Sequence, residues 1–333
     1  MAINRNVATT HVSMLKRITA DKRAATAPLR HAATRRAKTF ISQLFIYSIL
    51  LSLAFVFIYP VLFIFSKSLM QAGDVTDATV NWIPKQLSFA NYAYAFQQLD
   101  FWRSFMNSTV ISLGSAVVQV VSCAVVGYGF ARFRFPGRGL WLALVLFTFL
   151  VPPQTIIVPL FLQFSDLGWL NTYLPFIVPG LFGHGLKGAL FVLIFIQFFS
   201  KLPSQLEEAA LIDGAGAFRT FRSIMFPLAR PAMLVVFLFS IVWHWTDTYE
   251  PSMYLMEPQK FNMTQQLSKM DGEGNGEGAK QLAVTKSVIG EPPTKVNRVM
   301  AGALLSILPI LALYLFTQRY FVESVERTGI AGD

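Results

Sequence analysis

From Leu44 to Phe65 the chain runs 22 residues without a charge, the first of six apolar stretches in the sequence. At about 1.5 Å per helical residue, such a stretch crosses the roughly 30 Å hydrocarbon core of a bilayer. It is too long for the apolar core of a signal peptide and has no small-residue cleavage site after it. The other five extend over Ser108–Ala131, Gly139–Phe161, Tyr173–Phe199, Leu228–Tyr249 and Val299–Tyr320. Lipid offers no water to backbone N–H and C=O groups, so each stretch must satisfy them within itself, as a helix. The composition agrees: 54% of residues are hydrophobic and 14% charged, against about 25% charged in soluble domains. The expected fold is therefore an all-α polytopic membrane protein with six transmembrane helices.

Two of the stretches carry helix breakers. The third contains Pro152, Pro153 and Pro159, and the fourth contains Pro175, Pro179, Gly180, Gly183 and Gly185. Both should be kinked or locally unwound, which membranes tolerate where neighbouring protein satisfies the freed backbone.

The net charge of +10 suggests nucleic acid until it is located. Residues 1–39 form a basic arm in which Arg5, Lys16, Arg17, Lys22, Arg23, Arg30, Arg35, Arg36 and Lys38 are opposed only by Asp21. A basic arm beside a span is a topogenic signal that also favours anionic membrane lipid. No base-reading fold follows it, so nucleic acid is not an expected partner. The Ala, Thr and Arg content also hints at an organellar transit peptide, a reading discounted because the rest of the chain points to a bacterial inner membrane. With the arm inside, the connectors holding Arg132, Arg134, Arg138, Lys201, Arg219, Arg222 and Arg230 are cytoplasmic, as is the tail with Arg319 and Arg327. Both termini are then expected in the cytoplasm. This gives a transmembrane domain over 40–323, a long outer loop at 250–298 and a cytoplasmic tail at 324–333. Within that loop, Asp271–Lys280 (DGEGNGEGAK) lacks the ligand order of a calcium-binding EF-hand and reads as a flexible excursion.

Catalytic chemistry is poorly supported. Cys123 is the one cysteine, and the four histidines (His11, His31, His184, His244) are scattered, so neither a disulfide nor a metal centre is expected. No cofactor is expected either.

One polar segment is out of proportion to its place. Ser204–Leu228 separates two apolar stretches with two dozen charged, alanine-rich, glycine-broken residues. Ser204 and Glu207 have the spacing of a capping box, which predicts a helix over Gln205–Asp213 with Leu206, Ala209 and Ala210 on a narrow flat face. Gly214 and Gly216 break it. A second amphipathic piece follows, with Phe218, Phe221, Ile224 and Met225 at helical spacing, and Pro227 closes it. A helix lying on the membrane surface would look similar, but the acidic residues of the first piece oppose binding to a negative leaflet.

The run Glu208-Ala209-Ala210, three residues, Gly214, nine residues, Ile224-x-x-Pro227 resembles the EAA motif of ABC importer permeases, with Phe226 where leucine is usual. VPPQTIIVPLF, LGWLNTYLP, WHWTDTYEPSMYL and the ending LPILALYLFTQRYFVESVERTGIAG are similar to the carbohydrate-uptake, MalG-like group of that family. The loop after EPSMYL is longer than usual there, and Ser324 and Glu326 depart from the family's small residues. The resemblance implies a type I ABC importer transmembrane fold whose EAA loop forms coupling helices, docked into a groove of a separate ATPase homodimer. Glu207 or Glu208 would pair with a basic residue of the ATPase, Ala209 and Ala210 would pack in its groove, and Gly214 would make the turn, with Asp213, Ile224 and Pro227 completing the coupling set. It also implies a second, MalF-like permease as heterodimer partner and an extracytoplasmic sugar-binding protein. The chain has no G-x-x-x-x-G-K-[ST] phosphate loop, so ATP hydrolysis would belong to the partner and this chain would not be an enzyme.

Polar residues inside apolar stretches usually face a cavity or a partner. Gln119, Trp243, His244 and Asp247 are the substrate-pathway candidates, with Trp243, His244 and Trp245 able to stack on and hydrogen-bond a sugar. An interfacial aromatic belt, with Asp247 in water, is the alternative for the WHWTD stretch. Lys187 and His184 sit beside glycines at a possible unwound turn, where packing between helices is the simpler account. An ion-coupled secondary transporter would need mid-span carboxylates and an internal repeat, and a membrane enzyme would need a clustered acid, base or nucleophile. The sequence shows neither.

Overall fold

The computed structural model describes residues 39–71, 73–74, 77, 80, 82–272 and 293–329, without side chains for 293–294 and 321–329. The basic arm thus lies outside the described residues, as does the glycine-rich run from 273 onward. The chain divides into two compact units, Met1–Phe63 and Ile64–Asp333. Helix α1 (Thr39–Ser68) supplies the described part of the first, where Phe55, Tyr59 and Phe63 follow one another along one side at one-turn spacing.

Among the described residues of the second unit every regular element is a helix. These are α2 (Ala90–Gln98), α3 (Phe101–Arg132), α4 (Arg138–Leu150), α5 (Pro153–Asp166), α6 (Leu174–Leu181), α7 (Gly188–Lys201), α8 (Gln205–Ile212), α9 (Ala217–Leu228), α10 (Arg230–Thr246), α11 (Tyr249–Tyr254), α12 (Met263–Asp271) and α13 (Pro293–Gly329). Three helices are each long and apolar enough to cross a membrane, and three bent pairs raise the total to as many as six.

The breakers act where the sequence places them. The third stretch turns by 97° between α4 and α5, at Val151 and Pro152, both in extended conformation. Pro159 stays inside α5. The fourth stretch is α6 and α7 separated by an unwound segment, Phe182–Lys187. There Gly183, Gly185 and Lys187 take φ of 71°, 95° and 61°, the left-handed region that costs a non-glycine residue about 1–2 kcal/mol. The fifth stretch ends earlier than expected: α10 stops at Thr246, and Asp247 turns the chain into α11. The loop from residue 250 is folded as far as α12, whose Asn262 and Gln265 form a reciprocal capping box.

Helix α3 is the axis of this unit, packing on α6, α7, α10 and α12. Its contact with α7 is close because position 127 is glycine. A Cβ there would sit 2.4 Å from Phe195 Cβ, which is how small residues let membrane helices approach. Around this contact Val120, Cys123, Ala124, Phe191, Phe195, Phe199, Met225 and Val236 form the main apolar core. A second core gathers Ile111, Ile157, Phe164, Phe176, Tyr254 and Leu255.

Toward its N-terminal half the same buried face of α3 turns polar. Ser104, Asn107, Ser108, Ser112, Ser115 and Gln119 are all buried, and four of them, Asn107, Ser108, Ser115 and Gln119, bond to the backbone of another segment. Asn107 Nδ2 donates to Gln259 O and Phe261 O at 2.9 Å each, Ser108 Oγ accepts from Met263 N at 2.8 Å, and Ser115 Oγ donates to Phe176 O at 3.0 Å. In lipid a non-helical backbone persists only where protein satisfies it, and within this stripe Gln119 performs that task for the unwound segment, bonding His184 O and Leu186 O.

Candidate coupling site

The segment Ser204–Leu228 folds as a helical elbow. Helix α8 leaves α7 at a bend of 75°. It begins at Ser204, but the expected capping box is absent: Ser204 is itself helical in backbone and its side chain caps nothing. Glu207 is drawn away by Arg132 at the end of α3. The guanidinium Nε lies 3.6 Å from the Glu207 carboxylate, with the two side chains 12% and 20% exposed, and Nη2 donates to Leu202 O at 2.6 Å. A full positive charge in a half-buried place outcompetes a backbone N–H for a carboxylate.

The other end of α8 closes as a Schellman turn. Gly214 takes φ +73°, its N–H donates to Leu211 O, and Ala215 N–H donates to Ala210 O at 2.9 Å, satisfying carbonyls the helix end would leave open. Extended Gly216 then starts α9. Within α9 a single π-turn, Phe221–Met225, brings Phe221 and Met225 inward. The Phe221 ring lies 5.1 Å from Tyr128 and 6.4 Å from Phe199, so the elbow is seated on the ends of α3 and α7 by aromatic contact.

What the elbow presents outward is unusual for a polar connector. Leu211, Ile212 and Phe218 are 65%, 86% and 75% exposed, flanked by exposed Glu208, Ala209, Asp213, Gly214 and Arg219. Exposed apolar groups clustered inside a charged rim mark a surface that meets protein. Of the remaining coupling candidates, Ala210 is buried at 3% and supports the seat, while Ile224 and Pro227 are half-buried in α9.

The polar residues of the apolar stretches are distributed differently. Gln119 is fully buried; its Nε2 donates to Leu186 O at 3.1 Å and His184 O at 3.4 Å, and its Oε1 accepts from Ser240 Oγ at 2.6 Å. His244 is buried and bonded back to Ser240, and Trp245 Nε1 donates to Ser306 O at 3.0 Å. Trp243 stacks on Phe191 and Phe239, with Lys187 Nζ 5.8 Å from its ring. Asp247 accepts from Tyr249 N and Glu250 N and so holds the start of α11. Gln119 and His244 therefore meet through Ser240, while Trp243 and Asp247 stand apart from them.

A cavity of about 650 Å³ opens elsewhere, bordered by α4, α5, α6, α7 and α11, with Trp141, Trp169, His184, Lys187, Glu250 and Tyr254 in its wall. None of the four sequence candidates lines it. Burial, with help from the nearby Asp247 charge, pushes the Glu250 carboxyl up to about 8. It therefore holds its proton more readily than a free glutamate. The signal in the sequence was a lone carboxylate beside Pro251 in an aromatic stretch. Among the described residues no group of three or more His, Cys, Asp or Glu is placed to hold a metal.

Helices long and apolar enough to cross a membrane, with an exposed apolar elbow between two of them, define an integral membrane protein with a surface fit to meet another protein. Residues 123–327, more than half of the chain, match the family described as binding-protein-dependent transport system inner membrane component, and the chain belongs to that family. It is an ABC importer permease subunit and not an enzyme; ATP hydrolysis falls to a separate ATPase. Among curated proteins it is similar to the diacetylchitobiose uptake system permease NgcG of Streptomyces coelicolor, 29% identical over 84% of this chain and 86% of that protein. It is also similar to the melibiose/raffinose/stachyose import permease MelC of Bacillus subtilis, 28% identical over 82% and 91%. Among solved structures, a chain of a bacterial ABC transporter for the acidic polysaccharide alginate superposes with a TM-score of 0.68. That match covers 83% of this chain and 95% of the other at 24% identity, and speaks for the fold.

Proposed function

We propose that this chain is one half of the translocation pathway of a carbohydrate importer, coupled to its ATPase through the elbow α8–α9. The observation that carries the reading is the exposed cluster Leu211, Ile212 and Phe218 beside Glu208 and Asp213. Apolar residues in a segment that leaves the membrane need a protein partner, and the two carboxylates give that contact a direction and a preference for a basic groove. The sugars in the names of its relatives support a carbohydrate cargo. The aromatic wall of the cavity, with the Glu250 carboxyl and the Gln163 amide, suits hydroxyl-rich rings. Gln119, Trp243, His244 and Asp247 then shape the pathway from behind. The second half is supplied by a homologous permease, and both termini lie in the cytoplasm with the elbow.

In the mechanism that follows, closure of the ATPase dimer displaces α8. The displacement passes to α3, α7 and α9 through the aromatic seat of Tyr128, Phe199 and Phe221, and the helices turn the cavity from one face of the membrane to the other. The test is co-purification with its partner ATPase. Ile212→Glu and Phe218→Glu, singly, should cut ATPase retention by roughly tenfold, the equivalent of about 1.4 kcal/mol, and abolish ATP-driven sugar uptake in proteoliposomes. Retention and uptake at wild-type level in both variants would show that the elbow is not the docking surface.

A further inference from the structure

Helix α8 is eight residues long, too short to hold its own orientation. It joins α7 through an extended Leu202, so its angle must be fixed by side chains. Three observations locate the fixing point. Arg132, the last residue of α3, donates to Leu202 O at 2.6 Å and so grips the α7–α8 junction itself. The same guanidinium lies 3.6 Å from Glu207 on α8, with both side chains mostly shielded. One turn earlier on α3, the Tyr128 hydroxyl interacts with the Glu207 carboxylate while its ring packs on Phe199 of α7 and Phe221 of α9.

We propose that the Arg132–Glu207 pair is the positioning link that makes α8 and α3 move together, so that Glu208 alone of the two adjacent carboxylates is left to meet the ATPase. The inference rests on the coupling role of the elbow. The exposures divide the labour: Glu207 faces inward to Arg132 and Tyr128, and Glu208 faces outward beside Ala209. The pair is also unsaturated. Its 3.6 Å separation exceeds an N–H···O bond, and Arg132 Nε and Glu207 Oε1 are both buried without a hydrogen-bond partner. A guanidinium and a carboxylate can meet through two parallel bonds, so the link has geometry in reserve. It can swivel as α8 tilts without letting go, which suits a joint that must transmit force through a range of angles. An apolar contact at this place would hold α8 but give it no preferred direction of turn.

The experiment uses the complete transporter in proteoliposomes, with this chain, its second permease, the ATPase and the binding protein, and measures sugar uptake and ATP hydrolysis in the same vesicles. Arg132→Glu and Glu207→Arg should each keep the ATPase bound and hydrolysing within about twofold of wild type. Uptake per ATP should nevertheless fall by roughly tenfold, and the charge-swapped double variant should recover most of it, as expected of directly coupled residues. A purely structural role would lower complex yield and hydrolysis together and leave their ratio to uptake unmoved. If the reversals do not accumulate in the membrane, Glu207→Gln decides by the same ratio, with a drop of about threefold expected. The inference is overturned by an unchanged ratio in the single variants, by no recovery in the double variant, or by Glu207→Gln losing the bound ATPase as Glu208→Gln should. A wild-type assembly without ATP-driven uptake would overturn the coupling reading itself, a result visible before any variant is made.

Discussion

The molecule interrupts its helices in two places with similar backbone and opposite surroundings. At the elbow, Gly214 turns the chain with φ +73°, and nothing lies within 4 Å of where its side chain would be. In the break between α6 and α7, Gly183 and Gly185 turn the chain with φ of 71° and 95°, and the space is full. A Cβ on Gly188 would stand 2.6 Å from Gly183 O, and one on Gly185 would stand 3.2 Å from Gln119 Nε2. The polar groups differ accordingly. The break is held by neutral donors from α3: Gln119 to His184 O and Leu186 O, and Ser122 to Gly180 O. The elbow is held by an ion pair at its root and left open at its tip. The difference follows from what each place has around it. Apolar surroundings penalise charge and unsatisfied backbone alike, so the break needs neutral, complete bonding; the elbow keeps a free surface for another protein.

That contrast can be broken at its strongest point first. Gln119→Leu removes the donor to two carbonyls and the acceptor for Ser240, and should lower stability by about 2–4 kcal/mol, read as a fall in the melting temperature of the detergent-solubilised protein. A wild-type melting curve would mean that the break is not held by α3. Gly188→Ala tests the crowding alone: forcing a methyl against Gly183 O should cost about 1–3 kcal/mol in the same measurement. Gly214→Ala should be mildest, about 1 kcal/mol for the left-handed turn. It should leave the main melting transition in place while weakening ATPase retention. Equal melting shifts for Gly188→Ala and Gly214→Ala would erase the distinction between a packed and an open turn.

Much of this architecture is legible in the sequence because lipid makes harsh demands. Six apolar stretches, the proline bend before α5 and the glycine-rich unwinding before α7 follow from residue type alone, and so does the elbow, since no membrane segment looks like Ser204–Leu228. What the sequence conceals is pairing across the chain. The Ser204–Glu207 spacing fits a local cap, and only the fold brings Arg132 near enough to take the carboxylate. The serines of α3 recur at helical spacing toward Gln119, a stripe visible once one asks which helix must satisfy the broken one. Gln119 and His244 stand out as polar residues in apolar surroundings, and the structure places both in the bonding that ties α3 to α10. Glu250 was hidden by its nearness to the end of a stretch, where a carboxylate ordinarily meets water.

Helix α3 has 32 residues, so its ends are roughly 48 Å apart. At one end Asn107 and Ser108 hold the segment from Gln259 to Met263; at the other Arg132 holds Leu202 and Glu207. A rod fastened at both ends obeys thermodynamic reciprocity. If a protein binding near Gln259–Met263 favours one tilt of α3, it changes the affinity for whatever grips α8 by some factor. Whatever grips α8 then changes the affinity at the far end by that same factor, with no contact between the two partners.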